Sequence, residues 1–311
     1  MGEDLELLRR RLDRTFGSAS PEVALERVRA IVGTARLPDN AEGKLAKDGL
    51  AAMKAGETPT PMQLAALELM LRMMRPAPKI VSHVPEDLQD DFKQLFPPWN
   101  SFRSLIEPLA GAIGRVDRVG DNHPLGTGFL VRRGIVVTNR HVLDEASMGT
   151  RSLERGQATI NFGKEFNSDG KDPVDIIEVV AYHETLDVAL LKVDGQPQRI
   201  LQVATEGPAV GEAVVAIGFP YDDSQRNPLF IGPVFGNRFG VKRAAPGDVV
   251  RVNAKQKTWG HDCSTLGGNS GSPLLSMATA EVVGLHFGGS FLWRNEAVDA
   301  GALGEFINQH A

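Results

Sequence analysis

Residues 268–273 read Gly-Asn-Ser-Gly-Ser-Pro, and this stretch indicates more about the molecule than any other part of the chain. Glycines at 268 and 271 permit a tight turn that would present the hydroxyl of Ser270. A serine hydroxyl is a weak nucleophile at neutral pH unless a base takes its proton and a third group orients that base. Taken alone, a serine in a glycine-rich turn is more often a loop residue. A functional interpretation therefore depends on a base and a carboxylate elsewhere in the chain.

Candidates for both partners lie upstream of the turn. Residues 135–142 are a run rich in β-branched side chains, typical of a strand, that leads into His141. Asp187 begins a second apolar run that continues to residue 191. Three other aspartates are near these positions in the sequence: Asp144, Asp175 and Asp194. Because only Asp187 begins an apolar strand, we expect it to be the carboxylate that orients His141.

The order His141, Asp187, Ser270 is that of chymotrypsin-type enzymes, whereas subtilisins and α/β-hydrolases order these residue types differently. Four motifs occur in sequence: Gly-Thr-Gly-Phe-Leu at 126–130, Thr-Asn-Arg-His-Val at 138–142, Asp-Val-Ala-Leu-Leu at 187–191 and Gly-Gly-Asn-Ser-Gly-Ser-Pro at 267–273. Together they are highly specific. From about Ala110 onward, the chain resembles a trypsin-like serine endopeptidase. The sequences of these motifs are most similar to those of bacterial glutamyl endopeptidases and high-temperature-requirement proteases.

This resemblance implies a fold and a mechanism. We expect an α+β chain in which residues 110–311 form a chymotrypsin-like antiparallel double β-barrel. Ser270 would attack the peptide carbonyl, His141 would act as general base and then acid, and Asp187 would orient His141. The backbone N–H groups of Gly268 and Ser270 would form the oxyanion hole. The expected activity is hydrolysis of protein or peptide substrates through an acyl-enzyme, without a cofactor or metal.

The resemblance also implies a substrate pocket. His286 lies in a Gly-x-His-x-Gly-Gly strand, and Thr265 matches a pocket threonine of the glutamyl enzymes. An imidazole and a hydroxyl suit a carboxylate or carboxamide, so we expect Glu or Gln before the cut, although His286 could instead be structural. Ser264 replaces the acidic residue of trypsin pockets, and the neutral Asn269 replaces the aspartate of the trypsin activation ion pair. An activating cleavage that frees an N-terminal amine stays an open possibility.

Residues 1–80 differ in character from the rest of the chain. Helix-start signals at Ser20-Pro21 and Thr60-Pro61 precede apolar stripes, and leucine spacing indicates two further helices at 5–12 and 45–53. We predict a small helical bundle with an adaptor or regulatory role, as in proteases of bacterial signalling or defence systems. Residues 81–109 are predicted to be a linker with one short helix.

Composition limits the setting and the partners. The chain has 34 basic and 39 acidic residues, a net charge of −5, and no basic stripe that would favour nucleic-acid binding. Its single cysteine, Cys263, permits no intrachain disulfide, and the acidic N-terminus lacks the apolar core of a signal peptide. No apolar run reaches membrane-spanning length. We therefore expect a cytoplasmic protein without a membrane or nucleic-acid partner.

Two other functions are compatible with this sequence. One is a catalytically silent adaptor that retains the fold, although a complete set of nucleophile, base and carboxylate disfavours it. The other is a housekeeping chaperone-protease. Such an enzyme normally carries a peptide-binding domain after the catalytic one, and residues 271–311 are expected only to complete a barrel and a terminal helix.

Overall fold

The structure is a computed structural model of the 311-residue chain. It describes residues 2–32, 41–120, 124–170, 173–195, 199–221, 228–236, 238–290 and 294–311.

The N-terminal part contains the helices that the sequence predicts. They are α1 (Gly2–Phe16), α2 (Pro21–Val32), α3 (Ala41–Lys54) and α4 (Pro61–Met73). A capping box starts α4, because the Thr60 hydroxyl accepts from Gln63 N while the Gln63 side chain accepts from Thr60 N. Leu12, Leu50 and Leu67 are buried in a common apolar core. Within the described ranges, no helix is long and apolar enough to span a bilayer.

The segment predicted to be a linker contains more structure than one short helix. It holds a small hairpin of β1 (Ile80–Val81) and β2 (Val84–Pro85), followed by α5 (Asp90–Leu95) and α6 (Trp99–Ile106). Trp99 and Phe102 are fully buried in the core shared with the barrels. Ile80 N also donates to Lys242 O at 3.0 Å. The segment thus packs on the barrels, and the domain boundaries themselves stay predictions.

The first of two β-barrels follows a short 3-10 turn at Ala110–Ala112. Its strands are β3 (Ile113–Arg118), β4 (Pro124–Arg132), β5 (Ile135–Thr138), β6 (Ala158–Asn161), β9 (Val174–Tyr182) and β10 (Ala189–Val193), closed in the order β10-β5-β4-β3-β6-β9. Helix α7 (Arg140–Ala146) follows β5, and a hairpin of β7 (Lys164–Glu165) and β8 (Ser168–Asp169) follows β6. Inward-facing β-branched and aromatic side chains fill the barrel, among them Phe129, Val136 and Ile160.

The second barrel is likewise closed and antiparallel. Its strands are β11 (Ala213–Gly218), β12 (Arg243–Asn253), β13 (Thr258–His261), β14 (Pro273–Ser276), β15 (Val282–Ser290) and β16 (Arg294–Asp299), in the order β11-β12-β13-β16-β15-β14. Helix α8 (Pro228–Phe235) precedes β12, a 3-10 turn at Ala254–Gln256 precedes β13, and α9 (Ala300–His310) follows β16. The predicted α+β class and chymotrypsin-like double barrel are therefore confirmed.

Ion pairs join the N-terminal helices to the second barrel, and all of their side chains except that of Arg14 are buried. We call this group the helix–barrel charge cluster; its members are Arg11, Arg14, Glu68, Arg75, Asp248 and Asp262. Arg75, just after α4, contacts Asp262 at 2.9 Å and Asp248 at 3.2 Å. Arg11 of α1 contacts Glu68 of α4 at 2.7 Å and Asp262 at 3.3 Å. Because unpaired buried charges are costly, these pairs fix how the helices sit on the barrel.

Candidate active site

Strand pairing in the first barrel brings His141 and Asp187 together. Strands β5 and β10 are antiparallel neighbours, with Thr138 opposite Ala189. His141 lies three residues beyond Thr138, in the first turn of α7, and Asp187 lies two residues before Ala189. Both residues therefore lie just beyond the same end of the β5–β10 pair.

The Asp187 carboxylate binds His141 through both of its oxygens. Oδ2 lies 2.6 Å from the imidazole Nδ1, and Oδ1 accepts from the His141 backbone N–H at 3.0 Å. The side-chain amide of Asn139 donates to the Asp187 carbonyl at 2.8 Å. These contacts hold the imidazole with Nδ1 toward the carboxylate, so Nε2 faces away from it.

Electrostatics at this pair favour a charged imidazolium. Burial alone disfavours that form, but the hydrogen bond and charge of Asp187 outweigh burial and raise the pKa of His141 above its ordinary 6.5. Burial likewise opposes the Asp187 carboxylate, and the contacts from His141 outweigh it and lower the pKa of Asp187. Asp187 thus stays ionised while His141 can accept a proton.

The other three candidate aspartates form ion pairs with arginines. Asp144 binds Arg151 at 2.6 Å. Asp175 and Asp194 both bind Arg155, at 3.2 and 2.5 Å. Of the four candidates, Asp187 is the one that the structure brings to His141.

Strand β4 of the first barrel holds the turn that carries Ser270. Thr127 N donates to Ser270 O at 2.8 Å, and the Thr127 hydroxyl donates to Gly268 O at the same distance. Gly126 makes this approach possible, since a Cβ there would lie 2.8 Å from both Ser270 O and a methyl of Val142. The turn therefore packs directly against the segment that carries His141.

The Ser270 turn leaves two backbone donors available. Gly268 has φ +84°, a conformation that strongly favours glycine. The Gly267 carbonyl accepts from Tyr221 N at 2.9 Å, and because C=O and N–H of a trans peptide point in opposite directions, the Gly268 N–H faces away from Tyr221. Among the described residues, no acceptor is hydrogen-bonded to the N–H of Gly268 or Ser270. These are the two groups that the sequence predicts for an oxyanion hole.

Asn269 stabilises the same turn without an ion pair. Its side chain is buried, donates to Leu266 O at 3.3 Å and accepts from the Ser272 hydroxyl at 3.4 Å. The neutral amide of Asn269 thus stabilises the turn by local hydrogen bonds, whereas the aspartate of the trypsins needs a cationic partner.

A cavity of about 170 Å³ adjoins Ser270, and both predicted pocket residues line it. They are Thr265 and His286. The His286 Nδ1 lies 3.1 Å from the Nε2 of a second buried histidine, His261. Burial, followed by the charge of His141, lowers the pKa of His286 to about 3, so His286 is neutral at physiological pH. Burial also lowers the pKa of His261 well below its ordinary range.

Two residues near this cavity escape sequence reasoning. For His261 the available signal was its position directly after Thr-Trp-Gly of a strand, and in the structure its ring lies beside that of Trp259. Arg72 lines the cavity from α4, and its signal was a second charged residue, after Glu68, within a largely apolar helical run. Within the described ranges, no group of three or more His, Cys, Asp or Glu side chains is arranged to hold a metal ion.

Comparison with known families agrees with this geometry. Residues 126–285, just over half of the chain, match the model of the trypsin-like peptidase domain. The chain belongs to the trypsin-like peptidases. This trypsin-like peptidase is 31% identical over 227 residues to a Lysobacter enzymogenes protein named "Probable serine protease", covering 60% of this chain and 59% of the relative. It is 27% identical over 193 residues to a glutamyl endopeptidase of Staphylococcus epidermidis, covering 59% and 60%.

The peptidase therefore spans about three-fifths of the length of these curated relatives. Among solved structures, the serine endoprotease from Yersinia pestis superposes with a TM-score of 0.50 at 18% identity, over 67% of this peptidase and 65% of that chain. At that identity, the likeness speaks to the fold alone.

Proposed function

We propose that this chain is a serine endopeptidase that cleaves proteins through an acyl-enzyme. The observation that carries the proposal is the Asp187–His141 pair, with Nδ1 held 2.6 Å from the carboxylate, beside the turn of Ser270. In the first step, His141 Nε2 takes the Ser270 proton as the hydroxyl oxygen attacks the carbonyl carbon, and then returns it to the leaving amine. Water repeats the sequence on the acyl-enzyme.

The geometry of the Ser270 turn supports stabilisation of the oxyanion. The N–H groups of Gly268 and Ser270 are the donors in this proposal, and the Gly267–Gly268 peptide is held by Tyr221 in the orientation that such a role needs. Each preorganised donor of this kind typically stabilises the transition state by about 3 kcal/mol.

The cavity supports a preference for Glu or Gln before the cut. His261 Nδ1 is buried and has no hydrogen-bond partner among the described residues. An orphaned acceptor costs less than an orphaned N–H, so His261 is best assigned its proton on Nε2, donating to His286 Nδ1. His286 then carries its proton on Nε2. With the Thr265 hydroxyl, it offers the cavity uncharged donors for a side-chain oxygen.

The N-terminal helices have the regulatory or recruiting role in this proposal, as in a bacterial signalling or defence effector that acts in the cytoplasm. The helix–barrel charge cluster supports a coupling of these helices to the peptidase, because it links α1 and α4 to β12 and to the end of β13. A regulatory protein that binds residues 1–80 would thereby act close to the cavity.

Labelling with a fluorescent fluorophosphonate tests the activity. We expect the protein to be labelled, and Ser270→Ala or His141→Ala to abolish the labelling. Ser276→Ala is the matched control, since Ser276 lies on β14. If the unaltered protein and the control fail to label while both remain folded, the silent adaptor is the better function.

A further inference from the structure

A second, larger groove adjoins the Asp187–His141 pair. Its volume is about 700 Å³, and Asp187 itself lines it. Phe287 of β15 lines the same groove and directly follows His286, which lines the cavity beside Ser270. The groove and the cavity therefore adjoin neighbouring residues of one strand.

The edge of β15 is open where it reaches this groove. Strand β14 pairs with β15 only as far as Leu285, and His286 N then donates to Ser272 O at 3.0 Å. Beyond His286, no strand pairs with this edge in the part of the chain that the structure describes. An extended peptide can add to an open edge as a further strand. A peptide with one side chain in the cavity would thus continue past Phe287 along the groove.

The geometry of the Asp187–His141 pair indicates which part of a substrate lies there. In the proposed mechanism, the leaving amine takes its proton from His141 Nε2, which faces away from Asp187. The residues after the cut therefore depart on the Nε2 side. Because Asp187 lines the groove, the groove is on the other side and receives the residues before the cut.

Three cationic side chains line the groove, so we call it the basic groove. Arg251 is half-buried on β12, Lys255 is exposed in the 3-10 turn that follows, and Lys257 directly precedes β13. Lys257 pairs with Glu305 of α9 at 3.0 Å. Within the described ranges, Arg251 and Lys255 form no ion pair and no side-chain hydrogen bond. Two positive charges of the groove thus remain for a ligand.

The carboxylates of the basic groove already have partners within the protein. Asp187 binds His141 Nδ1 at 2.6 Å. Glu296 of β16 lines the groove as well and interacts with another group of the protein. These two negative charges are therefore not what balances Arg251 and Lys255.

Positive charge also acts on the histidine of this groove. Burial lowers the pKa of His183, and the charges of Arg140 and Lys257 lower it further. Arg140 donates to the carbonyl oxygens of His183 and Glu184, which are neutral acceptors and leave its charge uncompensated. A groove walled by charges of one sign attracts ligands of the opposite sign.

We propose that Arg251 and Lys255 make the basic groove specific for acidic side chains of the substrate, upstream of the residue that occupies the cavity. This inference rests on the proposed peptidase function and adds a second determinant of substrate choice. The preferred substrate is then an acidic segment rather than a single residue.

The test compares peptide reporters that all carry Glu before the cut and differ in the three residues upstream of it. These are aspartates in one reporter and asparagines in the other. We expect kcat/KM to be about 3- to 10-fold higher for the aspartate reporter, mainly through a lower KM, because the groove binds ground state and transition state alike. The advantage should fall as NaCl rises from about 0.05 to 0.5 M, since salt screens exposed charges.

Two double variants examine the groove itself. Arg251→Gln with Lys255→Gln should bring the ratio of the two reporters close to one and leave kcat for the asparagine reporter unchanged. Arg251→Glu with Lys255→Glu should favour a third reporter, with lysines upstream, over the aspartate reporter. The matched control is Arg27→Gln with Lys44→Gln, which removes two exposed charges from α2 and α3. Its ratio should equal that of the unaltered protein.

Each outcome supports or overturns the inference. A ratio near one in the unaltered protein, or an advantage that survives both groove variants, overturns it and leaves the peptidase function in place. Loss of the advantage in the control as well shows an effect of net charge and also overturns it. A folding defect, checked by thermal melting, lowers cleavage of both reporters together and does not change their ratio.

If no reporter is cleaved, the peptidase function fails instead. Fluorescence anisotropy of the aspartate and asparagine peptides on Ser270→Ala then still decides about the groove. Tighter binding of the aspartate peptide that is lost in Arg251→Gln with Lys255→Gln supports the site, and equal affinity for the two peptides overturns it.

Discussion

Replacing Asp187 by asparagine changes one charge and almost no volume, and its effect follows from two contacts. Asp187 Oδ1 accepts from the His141 backbone N–H at 3.0 Å, and Oδ2 faces Nδ1 at 2.6 Å. An amide whose oxygen keeps the backbone contact presents its NH2 group to Nδ1. Turning the amide over would place NH2 against the backbone N–H, leaving a donor unsatisfied at a cost of about 1–3 kcal/mol.

In the favoured orientation, Nδ1 must accept, so the proton of the neutral imidazole moves to Nε2. His141 then cannot take the proton of Ser270. We expect kcat/KM of Asp187→Asn to fall by about 10⁴-fold, roughly 5 kcal/mol of transition-state stabilisation. The pH profile should change as well. Because Asp187 raises the pKa of His141, the unaltered enzyme should gain activity as pH rises through a value above 6.5, where His141 becomes neutral. Without that charge, burial dominates, and the acidic limb of the residual activity should move to lower pH.

The assay is steady-state hydrolysis of a peptide reporter that carries Glu before the cut, between pH 5 and pH 9. Asp175→Asn and Asp194→Asn are matched controls, because both aspartates bind Arg155 and neither contacts His141. Their rates should equal that of the unaltered protein. An Asp187→Asn enzyme that keeps more than about a tenth of the rate would refute the tautomer reasoning.

Two further predictions concern the Ser270 turn and the attachment of the helices. Gly268→Ala should lower kcat by about 10²- to 10³-fold, because a Cβ there would lie 2.3 Å from Phe219 O and displace an oxyanion donor. Gly56→Ala controls for backbone strain alone, since Gly56 has φ +78° and a Cβ there would have nothing within 4 Å. Equal activity of the two variants would contradict the prediction. Asp262→Asn should reduce the free energy of unfolding by about 3–5 kcal/mol at pH 7, because Arg75 and Arg11 would lose a buried partner. Urea unfolding measures this change. An unchanged midpoint of the urea transition would show that the cluster does not hold the helices. Burial opposes the Asp262 charge, but both arginines outweigh it and lower the pKa of Asp262, so this stability is present above the ordinary value of 3.8 and is lost only as pH falls below it.

Local sequence was sufficient for the elements and for the chemistry near Ser270. A β-branched run ending in His141 and an aspartate at the start of an apolar run are short-range patterns, and β5 and β10 pair as such strands should. The helix-start signal at Thr60 likewise marks the observed start of α4. Sequence also indicated Thr265 and His286, since both lie at fixed distances along the chain from the glycine-rich turn. Their roles in catalysis and binding stay predictions for the assays above.

The hairpin at 80–85 and the two helices after it show where local patterns were insufficient. Ile80 gains its place from Lys242, and Trp99 from burial against the barrels, and neither contact leaves a periodic signal in the sequence. Short strands of two residues are specified by what they pair with. The segment therefore resembles a linker until its partners are known.

By itself, the sequence determined a trypsin-like double barrel, the candidate nucleophile Ser270 and, by their positions, its predicted partners His141 and Asp187, because these depend on runs of neighbouring residues. Tertiary structure alone decided that Arg72 lines the pocket, that His261 lies against the pocket residue His286, and that Arg75 joins α4 to Asp262. These residues are far apart in the chain, and what unites them is burial: a charge or imidazole removed from water must find a partner, and only the folded chain determines which one.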